Sequence, residues 1–321
     1  MATCASIEIL DLRHFTASVM RSVLEAEGVV WSRRLRWDFG ASIKLLMQYL
    51  DNRMLPGFAA LDAGQAIGYT FCVYEETKAV IGDVFAACAD DHKIEQTLLR
   101  HLFELLLNSP QVDRIESQLL LHPSGAHADL FRDAGFQIFR RLFMSRPLAA
   151  LSAPLRMELP VELELRAWRD EDLTAAGRLI VEAYREHPDS VINDQYRSAH
   201  GALRFLHNIV RYAGCGVFSA QASYVVVERY SRDIIALVLG SRVSQQSGHI
   251  TQVCVHPHYR RCGLARQLLS LAAFSFMRQG ASEISLTVTE ANSTAVDLYV
   301  NEGYTCAHTF DAAVWQREDA D

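Results

Sequence analysis

Residues 249–269 combine the side chains that most clearly indicate chemistry in this sequence. Within HITQVCVHPHYRRCGLARQLL, two arginines are followed by two small residues at the predicted start of a helix: Arg260, Arg261, Gly263 and Ala265. The first turn of a helix presents unpaired N–H groups and a partial positive charge, and small residues let an anion approach the backbone closely. The pattern therefore predicts a pyrophosphate site. Neither the Gly-Lys-Ser/Thr ending of a Walker loop nor the Gly-x-Gly-x-x-Gly dinucleotide fingerprint is present.

A second segment carries polar residues on a predicted strand–turn–helix. The sequence LTVTEANSTAVDLYVNEGY spans residues 286–304 and contains Asn292, Tyr299 and Gly303. In this order, the two segments resemble the Gcn5-related N-acetyltransferases, the GNAT superfamily. The resemblance covers roughly residues 161–316.

Both parts of the family signature align with this sequence. Motif A of the superfamily, Arg/Gln-x-x-Gly-x-Gly/Ala, is matched by RRCGLA at residues 260–265. A Val-x-x-Pro-x-Tyr pattern that precedes it in the family is close to VHPHY at residues 255–259. Because both motifs occur in order and each falls on the expected strand and helix, the resemblance predicts a GNAT domain in the second half of the chain.

The resemblance implies a co-substrate and a mechanism. Acetyl-CoA would place its pyrophosphate on the turn and pair its pantetheine arm with backbone groups of a splayed strand, where an N–H would polarise the thioester carbonyl. Tyr299 would protonate the leaving thiolate as general acid, and an amine would attack the thioester directly in a ternary complex. The implied cofactor-binding residues are Val253, Cys254, Val255, Arg260, Arg261, Cys262, Gly263, Leu264, Ala265, Arg266, Asn292 and Ala295.

The attacking amine must lose a proton, so a base is expected near the splayed strand. His249 and Glu290 are the candidate residues, and water is the alternative. Histidine has an ordinary pKa near 6.5, which suits this role. By strand alternation, His249 is expected on the same face as Thr251, Val253 and Val255.

The second half of the sequence supplies elements that can position these residues. Strands are predicted at 161–168, 223–229, 234–242, 249–255 and 283–289, and helices at 170–184, 263–277 and 293–302. The order predicts a mixed α/β fold with a strand–turn–helix at its centre. Three prolines between Arg146 and Pro160 interrupt regular structure and indicate a linker.

The first half repeats this order of elements. Strands are predicted at 7–12, 56–62, 65–74, 80–86 and 114–121, with helices at 94–107 and ending near 134–136. Leu98-Leu99 matches Leu268-Leu269, and Gly135-Phe136 matches Gly303-Tyr304, which indicates domain duplication. The predicted fold is α/β (α+β): two tandem GNAT folds, each a mixed, mostly antiparallel sheet flanked by helices. The predicted boundaries are a degenerate domain at 1–150, a linker at 151–160 and a catalytic domain at 161–321.

The aligned turn of the first half lacks the residues that would hold a pyrophosphate. The arginines, Gly263 and Ala265 are replaced by Asp90, Asp91, Lys93 and Glu95. Phe131 stands in place of Tyr299, so the proton donor is missing too. Aspartates repel a phosphate and larger side chains keep it from the backbone. The first domain is therefore not expected to bind CoA.

Composition narrows the classes of function. The 321 residues are 50% hydrophobic, and 31 basic against 38 acidic residues give a net charge of −7, which argues against a nucleic-acid-binding protein. Seven widely spaced cysteines without a Cys-x-x-Cys pair predict reduced thiols. No metal is expected, because His256 and His258 have no third ligand beside them. Without a signal peptide or a membrane-spanning apolar run, a cytoplasmic location and no membrane partner are expected.

The sequence therefore predicts an N-acetyltransferase that moves the acetyl group of acetyl-CoA to a primary amine of a small molecule. A peptide or protein N-acetyltransferase and a non-catalytic acyl-CoA sensor are the alternatives. The acceptor pocket is expected from the segment Glu186 to Gly216, in which the available side chains are Tyr196, His200, Arg204 and His207. Oligomeric state stays open, with a homodimer as one alternative.

Overall fold

The chain forms two compact units. A computed structural model describes residues 7–88, 92–149, 158–211 and 216–318. The first unit comprises residues 1–141 and 309–321, and the second comprises residues 142–308. Each unit is built around β-strands.

The elements have the following bounds. The strands are β1 (Glu8–Asp11), β2 (Gly57–Asp62), β3 (Gln65–Glu75), β4 (Lys78–Ala86), β5 (Arg114–Gln118), β6 (Gln137–Pro147), β7 (Leu163–Ala167), β8 (Val217–Phe218), β9 (Tyr224–Glu228), β10 (Ile234–Arg242), β11 (Ser247–Val255), β12 (Glu283–Thr289) and β13 (Thr305–Gln316). The α-helices are α1 (Ala17–Leu35), α2 (Gly40–Asp51), α3 (Lys93–Leu107), α4 (Ala128–Asp133), α5 (Leu173–Tyr184), α6 (Asp189–Ile192), α7 (Ala199–Arg211), α8 (Leu264–Arg278) and α9 (Ser293–Asn301).

A mostly antiparallel sheet forms the centre of the second unit. Its strand order is β7-β9-β10-β11-β12-β6; the pairs from β7 to β11 are antiparallel and β11–β12 is parallel. Strand β10 is buried from Ile234 to Ser241 because helices cover both faces of the sheet. Helix α8 packs into one apolar cluster, and helices α5 and α7 pack into another. The predicted α/β class, with a mostly antiparallel sheet flanked by helices, is confirmed.

Strands β11 and β12 separate towards their carboxyl ends. Their parallel pairing runs from Ser247/Glu283 to Ile250/Leu286, and the described register ends there. On the other side of β11, the register with β10 shifts between Leu239 and Gly240, so that Thr251 is an extra, unpaired residue. Such a bulge bends a strand and changes its twist. An opening therefore lies between the last residues of the two strands.

The bulge corrects the predicted alternation along β11. Ile250 packs in the cluster of α8, and so do Val253 and Val255, although strict alternation would put them on the opposite face. Cys254 packs in the cluster of α5 and α7. The extra residue at Thr251 reverses the alternation, so His249 does not share a face with Val253 and Val255, and that prediction is wrong.

The first unit repeats the pairing pattern of the second. Its strand order is β1-β2-β3-β4-β5-β13, with three antiparallel pairs from β1 to β4 and a parallel pair β4–β5. Residues Ala312–Gln316 of β13 pair antiparallel with β5. The apolar face of α3, including Leu98, Leu99 and Leu102, packs on this sheet. The pattern is the one that the predicted duplication requires.

Several elements lie outside the sequence prediction. Strands β6 and β13 were not predicted, and each begins in one unit and ends in the other. The units therefore differ from the predicted boundaries at residues 142–149 and 309–321. Helix α7 lies within the segment Glu186 to Gly216, where no helix was predicted. Of the predicted linker, residues 151–157 fall outside the described residues, as do Asp90 and Asp91.

Two negative findings apply to the described part of the chain. No helix there combines the length and the apolar character needed to cross a membrane. The described cysteines form no disulfide with one another: Cys72, Cys88, Cys254, Cys262 and Cys306.

Candidate active site

The carboxyl end of β11 directs backbone groups into the opening. The N–H of His256 donates to the carbonyl of Ile235 on β10 at 2.8 Å. Because hydrogen-bonding directions alternate along an antiparallel pair, the N–H groups of Val253 and Val255 point away from β10, towards the opening. A ligand that lies along this edge could therefore pair with β11 like an additional strand.

The first turn of α8 lies at the end of the same strand–turn–helix. Gly263 precedes the helix with φ +79°, a left-handed conformation that suits glycine, and no side chain caps the helix start. The first intrahelical bond is donated by the N–H of Gln267 to the carbonyl of Gly263, at 3.0 Å. The N–H groups between these residues have no partner within the helix, as in any first turn. Together with the positive helix end, they favour an anion.

The three arginines of the turn differ in their surroundings. Arg260 donates to the carbonyls of Val255 and Ala183, at 3.4 and 2.8 Å, and so braces the end of β11 against α5. Arg266 pairs with Glu302 at 2.8 Å. Arg261 is exposed, with φ +66°. Of the three, Arg261 has the side chain with the most freedom to meet an anion.

A buried amide lies beside the freed edge of β11. The Oε1 atom of Gln252 accepts hydrogen bonds from the Tyr184 hydroxyl at 3.0 Å and from the Val253 N–H at 3.2 Å. Two donors on one atom identify it as the oxygen. The Nε2 atom is buried and has no hydrogen-bond partner among the described residues. Buried donors without partners are rare, and this one is suited to a ligand.

A histidine and an aspartate stand at the carboxyl end of β12. The hydroxyl of Thr289 donates to Asp189 Oδ1 at 2.6 Å, and Asp189 Oδ2 lies 3.9 Å from His187 Nδ1. Nδ1 of His187 accepts from the Asp189 N–H at 3.1 Å, and Nε2 lies 3.3 Å from the Asn292 amide nitrogen. Burial lowers the pKa of His187, as does Arg260, while Asp189 opposes the change. The imidazole is therefore neutral and proton-accepting at pH 7.

Tyr299 lies on α9 and is buried. Burial raises the pKa of Tyr184 well above its ordinary value, and the neighbouring Tyr196, Cys254, Asp189 and Tyr299 raise it further. Tyr184 therefore lies near each of these four side chains. Asn292 caps α9 by accepting from the Ala295 N–H at 3.2 Å, which fixes the start of the helix that carries Tyr299.

The two predicted base candidates lie in different environments. His249 is in the paired part of β11, where its Nδ1 is 2.9 Å from Ser285 Oγ, and burial lowers its pKa to about 3. Glu290 is exposed directly after β12.

The remaining predicted residues differ in their exposure to solvent. Leu264 and Cys254 are buried, Ala295, Val253 and Val255 are half-buried, and Cys262 is exposed beside Gly263. Burial raises the pKa of the Cys254 thiol, which makes it a poor nucleophile.

Of the four side chains expected in the acceptor pocket, one stacks on Tyr184 and three lie on helix α7. Tyr196 stacks on Tyr184 with the ring centroids 4.3 Å apart. His200 and Arg204 contact each other on α7, at 3.0 Å, and His207 lies on the same helix.

Sequence reasoning missed four residues that converge here: Tyr184, His187, Asp189 and Gln252. The segment His187-Pro-Asp189 follows a helix and precedes a buried residue. This spacing predicts a polar turn, but it does not show which side chains the turn contacts.

Comparisons with known proteins agree with this geometry. Residues 177–304 match a family model described as the acetyltransferase (GNAT) family. A GCN5-related N-acetyltransferase from Sphaerobacter thermophilus is 16% identical, with a TM-score of 0.69 over 98% of this chain and 97% of its own. A tandem GNAT protein from the clavulanic acid biosynthesis pathway is 13% identical, with a TM-score of 0.62 over 98% and 100%. A glucosamine N-acetyltransferase region of a fungal β-N-acetylglucosaminidase is 12% identical, with a TM-score of 0.63 over 98% of this chain and 38% of the other.

Proposed function

We propose that the chain transfers the acetyl group of acetyl-CoA to a primary amine of a small molecule, a proposal supported by the match of residues 177–304 to the acetyltransferase (GNAT) family model. One observation carries the proposal: the opening between β11 and β12 adjoins the uncapped first turn of α8. The opening supplies backbone partners for a pantetheine arm, and the turn supplies N–H groups for a pyrophosphate. This combination suits acetyl-CoA, which provides an activated thioester.

The pyrophosphate is held by the turn from Arg261 to Ala265. The N–H groups of Leu264, Ala265 and Arg266 bind its oxygens, while Gly263 leaves the approach open. Arg261 adds charge, and Arg260 acts indirectly by bracing Val255. The proposed role of Arg266 is likewise indirect, because Glu302 engages its guanidinium.

The backbone of β11 polarises the thioester carbonyl, and Tyr299 on α9 protonates the leaving thiolate. The N–H of Val253 moves from Gln252 Oε1 to the thioester oxygen as negative charge develops there, a stabilisation that is strong in a buried site. Gln252 Nε2, buried and without a partner among the described residues, offers a second donor in the same place. Tyr299 gives its proton to the departing sulfur.

We propose His187 as the base that receives the proton of the amine. Its neutral ring accepts the proton, and the carboxylate of Asp189 stabilises the resulting imidazolium. His249 and Glu290 come second, because the pKa of His249 is too low for a strong base and Glu290 is exposed. Water is the remaining alternative.

The surroundings of Asp189 favour a small acceptor. Its carboxylate is nearly buried and would attract an ammonium group before deprotonation. The stacked rings of Tyr184 and Tyr196 lie beside it and would confine an acceptor to a compact space. A primary amine on a small molecule fits these constraints better than an extended peptide.

Release of free CoA tests the proposal. The full chain is incubated with acetyl-CoA and a panel of small primary amines, N-terminal peptides and a no-acceptor blank. We expect turnover with at least one small amine, and Tyr299→Phe should lower kcat about 100-fold while the Kd for acetyl-CoA changes little. Tyr304→Phe removes a neighbouring buried hydroxyl and serves as the matched control.

Other outcomes would replace the proposal. Turnover with peptides alone would identify a peptide N-acetyltransferase. Tight binding of acetyl-CoA without turnover on any acceptor, and no effect of Tyr299→Phe, would instead identify an acyl-CoA sensor.

A further inference from the structure

Four potential metal ligands converge in the first unit: His92, Glu95, His122 and His127. One ligand atom of each side chain lies within 4.8 Å of the other three. His122 Nδ1 and His127 Nε2 lie 3.6 and 3.5 Å from Glu95 Oε2 and 3.2 Å from each other. His92 Nδ1 is 2.5 Å from the same carboxylate oxygen.

Three separate parts of the unit bring these side chains together. His92 precedes α3, with φ +66°, and Glu95 lies in the first turn of that helix. His122 follows β5, and His127 immediately precedes α4. All except His92 are buried, and the side chain of His92 is 42% exposed, which leaves an ion a route from solvent. A carboxylate and three imidazoles would not be packed so closely for hydrophobic reasons.

The orientation of His122 resembles that of a metal-binding imidazole. Its Nε2 lies 2.8 Å from the carbonyl oxygen of Val84, so Nε2 carries a proton and donates it. In the neutral ring this leaves the lone pair on Nδ1, which points at Glu95 and His127. Metal-ligating histidines commonly donate their second N–H to a backbone carbonyl in this way. This lone pair can accept the Nε2–H of His127, or it can bind a cation that lies between the imidazoles and the carboxylate.

Three of the four distances suit a tetrahedral ion, and the fourth, 2.5 Å between His92 Nδ1 and Glu95 Oε2, is shorter, so His92 must move outward to become a ligand. Nitrogen and oxygen ligands about 2.0–2.1 Å from Zn²⁺ lie about 3.3 Å from one another at the corners of a tetrahedron. Three of the observed separations, 3.2, 3.5 and 3.6 Å, bracket that value. Three imidazoles and one carboxylate form a borderline donor set that suits zinc better than calcium or magnesium.

We propose that His92, Glu95, His122 and His127 bind a Zn²⁺ ion in the first unit. Four protein ligands fill a tetrahedral shell, so the site is structural and not catalytic. The ion ties the start of α3 to the segment between β5 and α4. This inference revises the sequence-based expectation of no metal, which considered only His256 and His258.

The test measures zinc on the full chain after removal of metal with a chelator. We expect one Zn²⁺ per chain by mass spectrometry of the metal, a raised melting temperature, and an intense visible spectrum of tetrahedral type when Co²⁺ replaces Zn²⁺. His127→Gln and His92→Gly should weaken Zn²⁺ binding by more than about 100-fold, beyond the effect of losing an outer partner. Glycine accepts the left-handed backbone at residue 92, so the second variant keeps the fold.

Matched controls separate this site from other histidines. His258→Gln, which changes one of the neighbouring histidines His256 and His258, should leave the zinc content and the Co²⁺ spectrum unchanged. Circular dichroism of each variant verifies folding. Failure of the metal-free wild type to bind Zn²⁺ stoichiometrically, or binding by His92→Gly as tight as by wild type, would leave only a hydrogen-bonded cluster and overturn the proposal.

Discussion

The two units share a strand framework but differ in what fills the opening between their parallel strands. The β4–β5 ladder ends after Ile81/Ser117 and the β11–β12 ladder after Ile250/Leu286, each after four paired positions. In both units the strand carries a register shift shortly afterwards. The backbone opening is therefore present twice.

The residues at the helix start beside each opening differ in size and in charge. The second unit has Gly263 and Ala265 at its helix start, whereas the first has His92 and Glu95 near the start of α3. In the first unit the carbonyl of Val84, on the freed strand edge, is already bound by His122. The backbone framework is thus common to both units, while the side chains beside the opening differ.

The residue at the proposed proton-donor position differs between two turns of similar backbone geometry. The N–H of Tyr304 donates to the carbonyl of Tyr299 at 3.0 Å, and the N–H of Phe136 donates to the carbonyl of Phe131 at the same distance. Gly303 and Gly135 follow these helices with φ +84° and +83°. The local geometry is retained, but the first unit has a phenyl ring where the second has a phenol.

The largest effect is expected from adding a negative charge at the start of α8 in the second unit. Gly263→Glu introduces a carboxylate and a side chain at a left-handed position, both unfavourable to a bound pyrophosphate. The affinity for acetyl-CoA, measured by calorimetry, should fall at least 100-fold, or roughly 2.8 kcal/mol. Gly263→Asn tests the backbone alone, because asparagine tolerates this conformation.

The reciprocal change in the first unit should have no effect on cofactor binding. Lys93→Gly removes a side chain from the matching helix start but leaves Glu95 and the histidines in place. An altered stoichiometry or affinity for acetyl-CoA in this variant, or tight binding by Gly263→Glu, would contradict the assignment of the cofactor to the second unit.

The next effect is expected on kcat, when the proposed base His187 is replaced. His187→Gln should lower kcat about 100-fold at pH 7, because the proton acceptor is lost. In the wild type, kcat/KM should fall with decreasing pH through a pKa below the ordinary 6.5 of histidine, since burial disfavours the charged ring. The variant should lose that limb of the pH profile. His200→Gln, at an exposed position of α7, is the control, and an unchanged profile in His187→Gln would remove His187 from the mechanism.

The smallest effect is expected from the buried strand histidine. His249→Gln should keep kcat within about three-fold of wild type, because a ring with a pKa of about 3 is a weak base at neutral pH. The matched variant Ser285→Ala removes the hydrogen bond of the same ring without removing the ring. A loss of activity in His249→Gln alone, with acetyl-CoA affinity retained, would restore His249 as the base.

Regular elements were predictable because their patterns are local. Strands β10 and β12 have the predicted bounds, and α8 begins within one residue of its prediction. Strands β6 and β13 were missed, since their burial alternates irregularly and their pairing joins distant parts of the chain. The face of His249 was wrong because one bulged residue, which no local pattern announces, reverses alternation.

The amino-acid sequence by itself determined the family resemblance, the prediction of an anion site at the turn around Gly263 and the different residues of the matching turn in the first half, because these are carried by contiguous residues whose chemistry follows from type and spacing. Tertiary structure alone decided which side chains meet. His187 reaches Asn292, and His92 and Glu95 meet His122 and His127, through segments without periodicity. Their convergence depends on how sheets and helices close over long stretches of chain, which short-range spacing does not encode.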